Sequence, residues 1–376
     1  MPTAVTIDLA KVEAWALRAP IAVPVRSSFG EMRNRPAVFV RVRDRAGHVG
    51  WGEAWCNFPP VGAEHRARLV NELVGPVLCM QGEQPLADLF ARLMKRFHIM
   101  VLQSGEFGPF RQVCAAIDIA CHDLAARRAG LPLWRFLGGV SDRIPVYASG
   151  IACEDVDVVA PRELAAGHRA FKLKIGFGDA VDRDGLKRLR QQIGRDCQMM
   201  ADANQAWNLA QAAVHMPSLD EFALTWLEEP MAADRPMAEW VKLAASTGIP
   251  IAAGENLNSH AEFDAAISSS AIAYIQPDAA KWGGMSGCLA VARQAVAAGR
   301  VYCPHYLGGG IGLLASAHLL AAAGGSGLLE IDTNPNPWRE RIVGDRLKLD
   351  DGVACLGEAP GLGVDPALLD LPLARR

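Results

Sequence analysis

Seven polar residues, Lys174, Asp202, Glu228, Glu255, Asp278, His305 and Glu330, each close a short apolar run in this 376-residue chain. The intervals between them are 28, 26, 27, 23, 27 and 25 residues. Strand residues two apart share a face, so Lys172 joins Lys174 in F-K-L-K-I-G, and Asn204 joins Asp202 in A-D-A-N-Q. Three carboxylates on consecutive units, Asp202, Glu228 and Glu255, repel one another unless a cation binds them. An all-oxygen set suits magnesium, which keeps positions open for water and substrate. No paired His and Cys of the zinc type occurs. Neighbouring ammonium groups disfavour each other's charge, so Lys172 beside Lys174 predicts one lowered pKa and a lysine able to act as a base. Asp278 can hold the His305 imidazole, fixing its tautomer and supporting its basicity. Singly, each residue has an ordinary explanation: a carboxylate caps a loop, a lysine faces solvent, a histidine is bonded in the core. Their recurrence in register favours one site, in which two bases flank a substrate carboxylate and move a proton alpha to it.

The spacing fits one strand and one helix per unit, a βα unit repeated around a barrel with its chemistry at the strand ends. From Ile144 onward, strand patterns occupy 144–150, 170–176, 197–204, 224–230, 249–256, 272–278, 300–305 and 327–332, with helical periodicity between them. Buried strands, short connections and eight units favour a (β/α)8 barrel over an open doubly wound sheet. The last unit is expected to be truncated, because T-N-P-N-P follows Asp332. Residues 1–140 read as an α+β domain: a meander over 5–17, 36–44 and 49–55, then helices, notably 110–129, stopped by Gly130 and Pro132. Residues 141–341 form the barrel, and 342–376, which lack its pattern, are expected to return to the first domain.

A 51% apolar composition over this length supports a large core, and a formal charge of −3 with mixed signs argues against a nucleic-acid partner. No apolar run is long enough to span a membrane, and the first ten residues hold Asp8 but no basic residue, so a cytoplasmic protein is expected. Nine scattered Cys without a C-x-x-C pair read as reduced thiols; Cys303 stands out only for its nearness to His305. The expected partner is a small-molecule carboxylate, with no membrane, in a homo-oligomer.

The motifs G-W-G-E (50–53), F-K-L-K-I-G, M-A-D-A-N-Q, W-L-E-E-P (226–230), A-G-E-N (253–256), P-D-A-A-K-W-G-G (277–284), P-H (304–305) and L-L-E-I-D (328–332) together resemble the enolase superfamily, and within it the mandelate racemase group. The resemblance spans nearly the whole chain. It implies that the first domain caps the barrel and that Asp202, Glu228 and Glu255 bind Mg2+. It further implies that Lys174 is one base, tuned by Lys172, which also contacts the substrate carboxylate, and that His305 with Asp278 is the other. Glu330 would be the acid that hydrogen-bonds the developing enediolate, with Asn204 and Glu229 around the metal. The muconate-lactonizing branch carries a catalytic Lys where this chain has Asp278, and Lys281 belongs to the K-x-G-G turn. Dehydration of an acid sugar, an aldonate or aldarate, to a 2-keto-3-deoxy acid follows as the expected reaction. Racemisation or epimerisation and sugar-lactone cycloisomerisation share its first step, and a non-catalytic binding protein on the same fold is the alternative of another class.

The resemblance also implies that two cap loops, 24–35 and 54–64, select the substrate, with Arg26, Ser28, Phe29, Trp55, Asn57 and Phe58 as candidates. His98 lies in a third candidate lid segment, and Tyr306 is a candidate pocket wall. G-G-G-I-G (308–312) could bind phosphate through backbone amides, although close helix–strand packing explains it better.

Overall fold

The computed structural model describes residues 5–27 and 30–364, without the side chains of residues 26 and 27. The first domain is built on an antiparallel meander of β1 (Leu9–Ser27), β2 (Gly30–Asp44) and β3 (Val49–Ala54). Behind α1 (Leu89–Ser104), the 22-residue α2 (Phe107–Arg128) covers the meander's face and buries sixteen residues including Ile117, Ile119 and Leu124, while α1 packs on α2. The segment 24–35, expected as a polar loop, is instead mostly strand. Val25↔Met32, Arg26↔Glu31 and Ser27↔Gly30 continue the hairpin beyond a register shift after Pro20. Its polar composition hid a backbone ladder that needs no apolar face at its tip.

The eight expected barrel strands are all present: β4 (Arg143–Ile151), β5 (Ala170–Lys174), β6 (Gln198–Asp202), β7 (Leu227–Glu228), β8 (Ile251–Ala253), β9 (Tyr274–Ile275), β10 (Val301–Tyr302) and β11 (Leu329–Asp332). They pair in parallel from β4 through β10, and β11 pairs β4. Among the described residues no ladder joins β10 to β11; there the Leu328 N–H donates to Cys303 Sγ at 3.3 Å. Burial pushes that thiol up to about 12, so Cys303 closes the barrel as a neutral thiol.

Strand alternation produces two layers inside the barrel. Ala170, Met200, Trp226, Cys303 and Leu328 belong to an apolar cluster separate from the main core. Each precedes by two a member of the polar set Lys172, Asp202, Glu228, His305 and Glu330, so that set stands on the same face, directly above an apolar floor.

The α8 helix (Gly284–Ala297) and α9 helix (Gly310–Ala323), which follow β9 and β10, present their N-termini to the first domain. Asp118 of α2 accepts the Ser286 N–H at 2.9 Å and its hydroxyl at 2.7 Å. Glu53 of β3 accepts the N–H groups of Gly309 at 2.6 Å and Gly312 at 2.9 Å. The G-G-G-I-G stretch therefore holds the protein's own carboxylate at its amides, and a Cβ at Gly309 would lie 2.6 Å from Glu53 Oε1.

After β11 comes the seven-residue α10 (Pro337–Val343), N-capped by Asn336, so the last unit has a helix, though a short one. The hairpin of β12 (Leu349–Asp350) and β13 (Val353–Cys355) then adds antiparallel to β4. Beyond it the chain reaches the first domain, where Leu362 N–H bonds Asp123 and Arg127 bonds the Val364 carbonyl. The expected α+β cap, barrel and returning C-terminal segment are thus the architecture of the chain.

Burial pushes the Glu53 carboxyl up to about 7, against the lowering pull of the Gly312 and Gly309 amides. Its folded pKa lies above the unfolded value of 4.5, so this stabilisation is complete below pH 4.5 and is lost as pH rises through about 7. Urea titrations of wild type and Glu53→Gln across pH 5–8 should show the wild-type advantage shrinking by roughly 3 kcal/mol toward high pH. A pH-independent difference would refute this role for Glu53.

Candidate active site

Register sets the site. Lys174 is the cross-strand partner of Asp202, and Asp202 of Glu228, so a base and two carboxylates stand level on three adjacent strands. Just past these ends the backbone turns through left-handed conformations at Asn204 (φ 43°), Gln205 (φ 64°) and Glu229 (φ 38°). Such conformations are sparse for side-chain-bearing residues and cluster where a site over-determines them. Here the Asn204 N–H is held by Asp202 Oδ1 at 2.8 Å, and the Gln205 N–H by the Glu229 carbonyl at 2.7 Å. Gly254 (φ 149°) serves the same purpose before Glu255: a Cβ there would lie 2.6 Å from the Gln276 backbone.

Each carboxylate faces a cation. Lys174 Nζ donates to Asp202 Oδ2 at 2.6 Å. Lys172 Nζ donates to both Glu228 oxygens at 2.8 and 2.7 Å and lies 2.8 Å from Glu330 Oε1. His305 bridges two acids, with Nδ1 2.8 Å from Asp278 Oδ2 and Nε2 2.7 Å from Glu255 Oε2. Asp278 is oriented in turn by the Ala280 N–H at 2.8 Å. Glu330 also accepts from Ser149 Oγ at 2.6 Å and from the Tyr306 N–H at 2.9 Å.

The electrostatics correct one expectation. Burial acts to lower the pKa of Lys172, but Glu228 and Glu330 raise it well above the ordinary value. Lys174 is likewise raised, because Asp202 outweighs both burial and the neighbouring Lys172. Mutual repulsion of the lysines is therefore not decisive; the carboxylates around them are. His305 is held well above its usual range, with Glu255 and Glu330 overcoming burial, so it is an imidazolium here. Glu330 is lowered despite burial, chiefly by Lys172, which makes it a charged acceptor and not the proton-bearing acid expected. Burial and the adjacent Glu255 push the Glu229 carboxyl well up, and its oxygens rest on Asn256 Nδ2 at 3.0 and 2.8 Å.

A cavity of about 250 Å³ opens above these groups, and Lys174, Asn204, Glu255 and His305 line it. Lys172 and Glu330 do not. Lys172 is fully buried one layer deeper, so it touches the other acids and not the cavity where a substrate carboxylate would lie. Of the cap candidates, Trp55, Asn57 and Phe58 line the cavity; Phe29 and Ser28 lie outside the described residues, as does the Arg26 side chain.

Two expected contacts are corrected. His98 is exposed on α1 and absent from the cavity wall, because Leu93, Phe97 and Val101 claim the buried helix face. Tyr306 is 2% exposed and packs beside Glu53, with its ring against Gly308 and Gly312; only its backbone N–H reaches the site. The cavity also exposes residues that strand-end spacing missed: Val25, Met32, Gln205, Asn256, Lys281, Leu307 and Asn334. Lys281 lay three residues past Asp278 in a recognised turn. Its ammonium bonds Asn256 Oδ1 at 2.7 Å and sits 5.0 Å above the Trp55 ring.

Among the described residues no three His, Cys, Asp or Glu side chains stand in ready metal-ligating geometry. Asp202 and Glu255 are instead turned to Lys174 and His305. The donor set fits a hard cation in chemistry, being carboxylate oxygens on three consecutive strands, and the bonded cations define what such an ion must displace.

Residues 10–138 match the family described as mandelate racemase / muconate lactonizing enzyme, N-terminal domain, and residues 156–369 match the enolase C-terminal domain-like family. The chain belongs to the mandelate racemase group of the enolase superfamily. This member of the group is similar to a solved mandelate racemase/muconate lactonizing enzyme from Bordetella bronchiseptica RB50, at 49% identity and a TM-score of 0.91, covering 97% of this chain and 99% of that one. It is 27% identical to the D-galactarolactone cycloisomerase of Agrobacterium fabrum over 96% of each chain. It also resembles the L-talarate dehydratase of Polaromonas sp. JS666, solved with Mg and L-glucarate, at 27% identity and a TM-score of 0.82, covering 96% of this chain and 95% of that one. Relatives of these kinds support an enzyme of lyase or isomerase type. Among the described residues no helix is long and apolar enough to cross a membrane.

Proposed function

We propose that this enzyme removes the proton alpha to the carboxylate of a 2,3-dihydroxy acid of the sugar-acid type and eliminates its 3-hydroxyl, giving a 2-keto-3-deoxy acid. The observation that carries this reading is that Lys174 and His305 line one cavity, each bonded to a different carboxylate of the triad, at 2.6 Å to Asp202 and 2.7 Å to Glu255. Asp202, Glu228 and Glu255 would hold magnesium, an ion with which the L-talarate dehydratase relative was solved; it would screen their charge and polarise the substrate carboxylate.

Lys174 is held as an ammonium by Asp202, so it must first lose that partner to the cation site and give its proton to solvent. As the free amine, this cavity-facing lysine takes the proton from C2 and the C–H electron pair passes into an enediolate. Lys172 stays protonated beneath it, fixing Glu228 and Glu330. His305, held as an imidazolium and aimed by Asp278, gives its proton to the 3-hydroxyl as the C3–O bond breaks, releasing water. The enol then tautomerises to the keto acid. Atoms balance as substrate minus water, with the proton from C2 left on Lys174.

Purified protein is incubated in D2O with a panel of hydroxy acids and magnesium, then treated with EDTA. Loss of the C2–H signal together with a keto-acid product, both abolished by EDTA, is the expected result. Deuterium uptake without a keto acid would redirect the reading to racemisation or epimerisation.

A further inference from the structure

Building on that reading, we infer that the preferred substrate has a single carboxylate and an apolar end beyond its two hydroxyl-bearing carbons. The cavity is chemically two-sided. The cations that line it among the described residues, Lys174, Lys281 and His305, all come from the barrel, and of the three only Lys281 reaches the cap, its ammonium 5.0 Å from the Trp55 ring. That ammonium is bonded to Asn256 at 2.7 Å and lies 3.6 Å from Glu255 Oε2.

The opposite wall is Val25, Met32, Trp55 and Phe58 from the cap, with Leu307 from the barrel. Val25 and Met32 are cross-strand partners, so they make one continuous apolar patch at the hairpin. Trp55 is fixed against the barrel by its backbone N–H, which donates to the Ala280 carbonyl at 3.0 Å. The one polar cap side chain lining the cavity among the described residues, Asn57, already donates its amide to the Leu307 carbonyl at 2.5 Å.

An acid anchored by its carboxylate and C2 at the barrel floor points its far end at this wall. A second carboxylate there meets, among the described residues, only Lys281, whose ammonium is already committed to Asn256 and Glu255, and hydroxyls against the apolar side chains lose water without a matching partner. Methyl, branched alkyl or aryl groups gain instead, by roughly fourfold in affinity per buried methylene. Within the sugar-acid type this favours monoacids with a deoxygenated far end over aldarates.

The test uses the full chain with magnesium in D2O, following C2–H loss by NMR on three sets of acids. The first set is 2,3-dihydroxy monoacids ending in alkyl or phenyl groups, the second fully hydroxylated aldonates, the third aldarates. The expected kcat/KM falls by about 10-fold from the first set to the second and by about 100-fold to the third. Equal or faster reaction of aldonates or aldarates would overturn the inference while leaving the proton-abstraction reading intact. Absence of exchange with every set would overturn both.

Discussion

Replacing Lys174 by Ala should lower both C2 proton exchange and keto-acid formation by about 10²- to 10⁴-fold, whereas His305→Asn should lower product formation by a similar factor and leave exchange largely in place. The asymmetry follows from geometry. Lys174 is the one lysine of the K-L-K pair that faces the cavity, with its side chain 19% exposed against 0% for Lys172. His305 carries its proton between Asp278 and Glu255, which suits it to give a proton up. Lys174→Ala leaves Asp202 with Lys172 at 3.6 Å, so the variant retains a counter-charge and should fold. Rates of exchange and product formation measured on the same sample separate the two steps. Equal loss of exchange in both variants would show that His305 shares the first proton transfer.

Asp332→Ala should destabilise the protein by roughly 3–5 kcal/mol, because it strands a buried guanidinium. Arg35 from the cap is 0% exposed and its Nη2 donates to Asp332 Oδ2 at 2.7 Å. Among the described residues Arg35 Nη1 has no hydrogen-bond partner, so the Asp332 contact carries the compensation of its charge. Arg35→Met should cost less, since Asp332 keeps Arg339 at 3.2 Å and the Asn334 amide at 2.7 Å. Burial acts to raise the Asp332 pKa, but Arg35 and Arg339 hold it below 3.8. Its contribution is therefore present above that pH and is lost as pH falls through the lower folded value. Urea midpoints of the two variants check the order; a larger loss for Arg35→Met would mean that packing, not the stranded charge, dominates.

The barrel was legible because five of its strands carry a periodic signal, an apolar floor residue and then a polar site residue two positions on, as in Met200 and Asp202 or Trp226 and Glu228. The turn residues gave less. Lys281 lies in a motif that was recognised, yet its reach to Asn256 and Trp55 depends on how the β9–α8 turn meets the cap, which no local spacing encodes. Glu53 was visible as part of G-W-G-E, but its partners lie 256 and 259 residues away. Contacts at that separation leave no periodicity. Hairpin residues Val25 and Met32 were hidden by the polar composition around them, and His98 was misplaced because helix phase, not membership of a candidate lid segment, decides which face turns inward. Protonation was the hardest property to read. Two lysines side by side suggested a lowered pKa, but their carboxylate neighbours come from strands 28 to 158 positions away and reverse the sign.

The most direct measurement is a crystal structure of the Lys174→Ala variant with magnesium and a 2,3-dihydroxy monoacid. The expected result is one ion among Asp202, Glu228 and Glu255, the substrate carboxylate beside it, and C2 lying between the vacated Lys174 position and His305. An acid bound with His305 turned away from it, or an ion held by other residues, would contradict a site in which Lys174 takes the C2 proton and His305 gives one to the leaving hydroxyl.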